Sequence, residues 1–253
     1  MSMEKKYKRI LSVLFVVLVL DLLLLCACLI DIERVDVKSY PVTIDFGTMA
    51  VEEIEVFQNI IAAAENDIAE VPCNSEINKH RILTHLGLHY GSMQEVTQLC
   101  TWTDKAIFLN LDVFERLQKN KIVIDARVDE AVSNLVEGSD RFKLWQICNY
   151  LSDRITYTDG VRETITGLNG DGVCSTYSIL FYKMAMRVGI KSYICYGYVG
   201  EYHSWNAVEL NGSLYHYDAT FYDTDSILHD YRYLHSADSW GREYRLNNLW
   251  WEE

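Results

Sequence analysis

Hydrophobic positions along the chain follow three different periods. From Ile10 to Ile30 the sequence is apolar throughout, broken only by Ser12 and Asp21. Through the middle, apolar residues recur at helical spacing. Ile54, Phe57, Ile60, Ile61, Ala64 and Ile68 predict a helix over Val51 to Ala69. Ile82, Leu83, Leu86 and Leu88 predict a second over Asn78 to His89, and further helices are expected over Asp125 to Leu135 and Phe142 to Ile155. Ile107 to Leu111 reads as a strand or a helix entry. From His203 onward the period drops to two, as in a half-buried strand. Asp31 to Phe46 is a polar connector with one candidate strand at Val42, Ile44 and Phe46. No repeat or low-complexity linker interrupts the chain.

One more helix matters chemically. Leu180, Met184 and Val188 recur at i, i+4 and i+8, widened by Tyr177, Phe181 and Ala185, with Arg187 in the last turn and Gly189 as the stop. Asn169-Gly170-Asp171-Gly172 before it is a turn signal. Cys174 therefore falls in the first turn of a largely buried helix. The partial positive charge there favours a thiolate, and free backbone N–H groups can receive an oxyanion. Asn169 reads as a turn residue rather than an oxyanion donor.

Asn211-Gly212 separates two alternating runs, His203 to Leu210 and Ser213 to Thr220. That dipeptide predicts a hairpin with a two-residue type I′ turn. The register then pairs Leu210 with Ser213, Val208 with Tyr215 and Trp205 with Asp218. His203 comes opposite Thr220 and diagonal to Asp218, on one face with Trp205. Diagonal neighbours are about 7–8 Å apart, a gap an imidazole and a carboxylate can bridge. A thiol, an imidazole and a carboxylate in such an arrangement suit a nucleophile, its base and the base's orienter.

Gly172-Val173-Cys174, the helix end Arg187-Val188-Gly189-Ile190, the stretch Tyr196-Gly197-Tyr198, His203-Ser204-Trp205-Asn206 and Tyr217-Asp218-Ala219-Thr220 together resemble the transglutaminase-like superfamily. The resemblance covers roughly Leu135 to Tyr233 and departs slightly at Ser175. It implies an α+β, papain-like core, with the cysteine helix packed on an antiparallel sheet. It also implies Cys174 as nucleophile, His203 as general base and acid, and Asp218 as orienter. The superfamily holds cross-linking acyltransferases, cysteine peptidases, amidases and catalytically dead members. Expected activities are thus acyl transfer or amide hydrolysis on protein or peptide substrates, cell-wall peptides included. A non-catalytic binding or scaffold protein on the same fold is the alternative.

The N-terminal run sets topology. About 20 apolar residues span a bilayer, so residues 10–30 suffice. The sixteen Leu, Ile, Val and Phe residues contribute about −5 to −10 kcal/mol to insertion, against about 3 kcal/mol for Asp21. Lys5, Lys6, Lys8 and Arg9 stay inside, which puts Asp31 onward outside. A cleaved signal peptide is one alternative. Lipidation at Cys28 is another, opposed by the apolar Leu29-Ile30 that follows. The reading divides the chain into a basic flank (1–9), an anchor (10–30), a connector with helical extension (31–119) and a transglutaminase-like domain (120–253).

The chain carries 36 acidic and 23 basic residues and a formal charge of −13. That disfavours nucleic acid as a partner. No cofactor motif occurs. No metal spacing occurs either: His216 and Asp218 share a strand face, but His203 lies about 13 Å along the sheet from His216. Beyond the anchor, Cys73, Cys100, Cys148 and Cys195 accompany Cys174. They allow either two disulfides, in three connectivities, or four buried thiols.

Overall fold

The computed structural model describes residues 49–73, 77–160, 163–199, 201–224, 235–236 and 245–248. The expected anchor over residues 10–30 and the connector up to Phe46 lie outside the described residues, as does most of the chain beyond residue 224. No helix among the described residues is long and apolar enough to cross a membrane.

The N-terminal part begins with α1 (Val51–Glu65), β1 (Glu70–Pro72) and α2 (Lys79–Tyr90). A short 3-10 turn, Glu95–Gln98, leads to β2 (Cys100–Trp102) and β3 (Ala106–Leu109). The helix starts are chemically determined. Glu53 accepts from the Ala50 N–H at 2.9 Å, and Asn78 accepts from the His80 and Arg81 N–H groups. The end of α2 is Gly91, at φ +74°, where the left-handed region favours glycine.

The three strands form an antiparallel sheet in the order β1-β3-β2. The helical extension expected from the sequence is therefore mixed helix and sheet. Strands of three or four residues are too short to leave a period, so only Ile107 to Leu111 gave a signal.

A long helix, α3 (Leu111–Ser133), follows. Only its second half, from Asp125, carries the expected signal. Val113, Phe114 and Leu117 pack in the N-terminal core with Phe57, Ile60 and Leu86. Ile124, Val128, Ala131 and Val132 pack in a second core with α4 (Asp140–Ser152) and α6 (Cys174–Arg187). The apolar face changes partner between Leu117 and Ile124, which breaks the stripe seen in sequence.

Between α4 and α6 lie β4 (Thr156–Tyr157), the single-turn α5 (Thr164–Gly167) and β5 (Asp171–Gly172). The two strands pair in parallel. After α6 come β6 (Ser192–Val199), β7 (Glu201–Leu210), β8 (Ser213–Tyr217), α7 (Ala219–Thr224), β9 (His235–Ser236) and β10 (Arg245–Asn248). The strands form an antiparallel sheet ordered β10-β6-β7-β8-β9.

The hairpin matches its expected register at Leu210↔Ser213, Val208↔Tyr215 and Asn206↔Tyr217. Asn211 and Gly212 take φ of 53° and 77°, the two positive values of a type I′ turn. One expectation needs correction: β8 ends at Tyr217, not Thr220, because Asp218 caps α7 and turns the chain out of the sheet. Thr220 is therefore helical and does not oppose His203.

Helix α6 is buried on all sides from Thr176 to Ala185. One face joins Leu180, Phe181 and Met184 to the second core; Ile179 and Tyr182 pack with Leu88 of α2 and Trp205 of β7 in a third cluster. Lys183 is buried within it and is ion-paired to Asp125 at 2.8 Å. It also donates to the His89 carbonyl, so one ammonium ties α6 to α2 and α3.

Candidate active site

Cys174 is the first residue of α6, after Val173 as N-cap. The glycine-rich approach has two separate causes. Gly170, at φ +106°, makes the turn. Gly167 and Gly172 are needed for close approach: a Cβ there would lie 2.4 Å and 2.7 Å from Thr176 side-chain atoms. Thr176 also accepts from the Val173 N–H at 3.3 Å. It thus locks the loop against the first helical turn and fixes where the thiol emerges.

His203 lies on β7 and Asp218 directly follows β8. His203 Nε2 is 2.8 Å from Asp218 Oδ2. The same imidazole acts on Cys174, whose thiol pKa is lowered by hydrogen bonding and charge from His203. The structure thus brings together all three residues singled out in the sequence. Both His203 and Asp218 are buried, while Cys174 is half-buried. The imidazole is further held by ring contacts to Trp205, stacked at 6.0 Å, and to Phe221 at 5.1 Å.

The electrostatics are distinctive. Burial works against the Cys174 thiolate, but hydrogen bonds from His203 and Ser204, with the His203 charge, outweigh it and lower the thiol pKa. Burial likewise works against imidazolium. Hydrogen bonds to Asp218 and Cys174, and their charges, prevail and raise His203 to about 10. These shifts favour a thiolate–imidazolium pair. The other described thiols behave oppositely. Cys73, Cys100, Cys148 and Cys195 are free and buried, and burial pushes each one up.

Ser204 carries no role in the sequence reading beyond its place in the motif. Its hydroxyl and backbone both hydrogen-bond Cys174. The hydroxyl is also 3.2 Å from Ser178 Oγ, one turn along α6. Asn206 braces the same helix by donating to the Ser178 carbonyl at 2.9 Å. A period-two pattern marks Ser204 only as a strand residue, so no signal identified it. Asn169 is exposed in the turn. His216 is engaged inside the sheet, accepting from Trp205 Nε1 at 3.0 Å. No group of three metal-ligating side chains occurs among the described residues.

The family model of the transglutaminase-like superfamily core matches residues 130–219, a span that holds Cys174, His203 and Asp218. Among solved structures, the chain is similar to one described as a cysteine protease from Cytophaga hutchinsonii, at 15% identity and TM-score 0.34 over 39% of this chain and 37% of that one. It is similar to a TGase at 14% identity and TM-score 0.36, over 57% and 48% of the two chains. LapG of Legionella pneumophila is similar at 12% identity and TM-score 0.33, over 53% and 74%. The chain spans less than half the length of the first two. No curated protein matches it. The family match thus falls on a region of mixed helix and antiparallel sheet, residues 130–219.

Proposed function

We propose that the protein is a thiol-dependent acyl-transfer enzyme acting on amides of protein or peptide substrates. The observation that carries this reading is His203 held between the Asp218 carboxylate and the Cys174 thiol. In the proposed reaction the Cys174 thiolate attacks the amide carbonyl carbon. The carbonyl electron pair moves to oxygen, close to backbone N–H groups that open α6 and have no intrahelical acceptor. The tetrahedral species collapses as the C–N bond breaks and imidazolium His203 protonates the departing amine. The resulting thioester passes its acyl group to water or to a second amine, whose proton His203 takes. Asp218 keeps the ring oriented throughout. Neither a metal nor a cofactor takes part in this scheme.

We further infer an extracytoplasmic site, anchored through residues 10–30 with the basic flank inside. The acidic remainder of the chain is compatible with that side, and cell-wall peptides are one candidate substrate class there. Incubation with a glutamine donor peptide and a fluorescent primary amine tests the acyl transfer. Incorporation of the amine or release of free acid is expected from the native chain and neither from Cys174→Ala. Equal product from both would overturn the role of Cys174. Protease access to intact cells tests the topology: digestion of the Cys174 domain is expected, and full protection would reverse it.

A further inference from the structure

A cavity of about 350 Å³ lies between α3, α4, α6 and the loop that follows α5. Its floor is apolar and made by core residues: Val128 of α3, Leu151 of α4, Leu180 and Met184 of α6. Its lining also includes two exposed arginines, Arg127 and Arg154. We propose that this cavity binds a small amphipathic carboxylate, with its apolar body on the floor and its anion between the two arginines.

Charge and shape both select this class. The chain as a whole is strongly acidic, at −13, yet both charged residues lining the cavity are cationic. Arg154 stacks on Tyr150, with its guanidinium 4.0 Å from the ring centroid. It takes part in no ion pair among the described residues. Among the described residues Arg127 pairs with Glu130, on the exposed surface, where such a pair contributes little and is readily exchanged. A planar fork of N–H donors suits a carboxylate. An inorganic anion alone would leave the apolar floor wet, and a neutral apolar molecule would make no use of the two guanidinium groups. The volume falls at the small end of ligand pockets, which start near 300 Å³, and so limits the apolar body to a short chain.

The walls are already fixed. Gly170 in the wall loop accepts from the Thr156 N–H at 2.7 Å, and Tyr177 donates to the Ile155 carbonyl at 2.8 Å. Little ordering is therefore needed on binding. The site is separate from the reacting thiol: Leu180 lies six positions after Cys174, about 9 Å along the helix axis.

Isothermal titration of the full chain with octanoate tests the proposal. Octanol supplies the tail without the charge and acetate the charge without the tail. Saturable one-site binding of octanoate is expected, at least tenfold tighter than either. Arg154→Ala and Arg127→Ala should each weaken it tenfold or more, while Cys174→Ala should leave it unchanged. Partition of octanoate into any detergent is common to wild type and variants, so their difference reads the cavity. Both arginines are exposed, and circular dichroism verifies that the variants fold. Absence of saturable octanoate binding, equal affinity for octanol, or full affinity in Arg154→Ala would each overturn the proposal. Loss of binding in Cys174→Ala would instead place the ligand at the thiol.

Discussion

His203 Nε2 and Asp218 Oδ2 stand 2.8 Å apart, fifteen positions apart in the chain. The same carboxylate has a second function. Its Oδ1 accepts from the Thr220 and Phe221 N–H groups at 3.1 and 3.2 Å, which caps α7. Orienting the imidazole and ending β8 are therefore one structural act.

These two functions separate by mutation. Asp218→Asn keeps an oxygen for the cap but removes the charge that holds the imidazolium. Turnover should fall about 10³-fold or more, and the stability that the buried ion pair contributes should be lost while the cap is kept. Asp218→Ala should lose both, and the missing cap should cost a further 1 kcal/mol or so in chemical denaturation. Equal stability of the two variants would contradict the capping role.

Ser204 supplies a hydrogen bond to the thiol from a residue beside the base. Hydrogen bonds to charged groups contribute about 1.5–3 kcal/mol. Ser204→Ala should raise the Cys174 pKa and slow alkylation at pH 6 about tenfold or more, while rates above pH 9 converge with wild type. A pH-independent change would point to misfolding instead.

The sequence made the chemistry unusually legible at Asn211-Gly212. A two-residue turn fixes register, and that register sets the end of β8, with Asp218 next in the chain, beside the strand that carries His203. The start of α6 was legible for a similar reason, since turn residues ahead of an apolar stripe mark a helix entry. What was not legible depends on long-range packing. The departure of the chain from the sheet after Tyr217 follows from the Asp218 cap. Helix α3 changes partner midway, so no continuous stripe runs along it. Ser204 and the Lys183–Asp125 pair acquire their roles only when separate elements meet.

Gly167 and Thr176 offer a packing test. A Cβ at Gly167 would come 2.4 Å from Thr176 Cγ2. Gly167→Ala should destabilise by about 1–3 kcal/mol and disturb the thiol position. Thr176→Ser removes that methyl, so the double variant should recover most of the stability. Additive losses in the denaturation midpoints would contradict the contact.

His89 gives a pH signature of the extension. Burial, with Lys121 and Lys183 nearby, lowers its pKa to about 4. The unfolded chain binds this proton from about pH 6.5 downward, so between pH 6.5 and 4 the unfolded state holds more protons. Stability contributed here is complete above pH 6.5 and falls as pH drops toward 4. His89→Gln should flatten that part of the denaturation profile, and an unchanged slope would assign it to other groups.

The most direct measurement is the alkylation rate of Cys174 by iodoacetamide as a function of pH, followed by peptide mapping so that only this thiol is read. In wild type the rate should reach its plateau at a pH below the ordinary thiol range near 8.5. In His203→Ala the midpoint should move up to that range or beyond, and the rate at pH 6 should collapse. Identical profiles for the two proteins would contradict a thiolate held by His203.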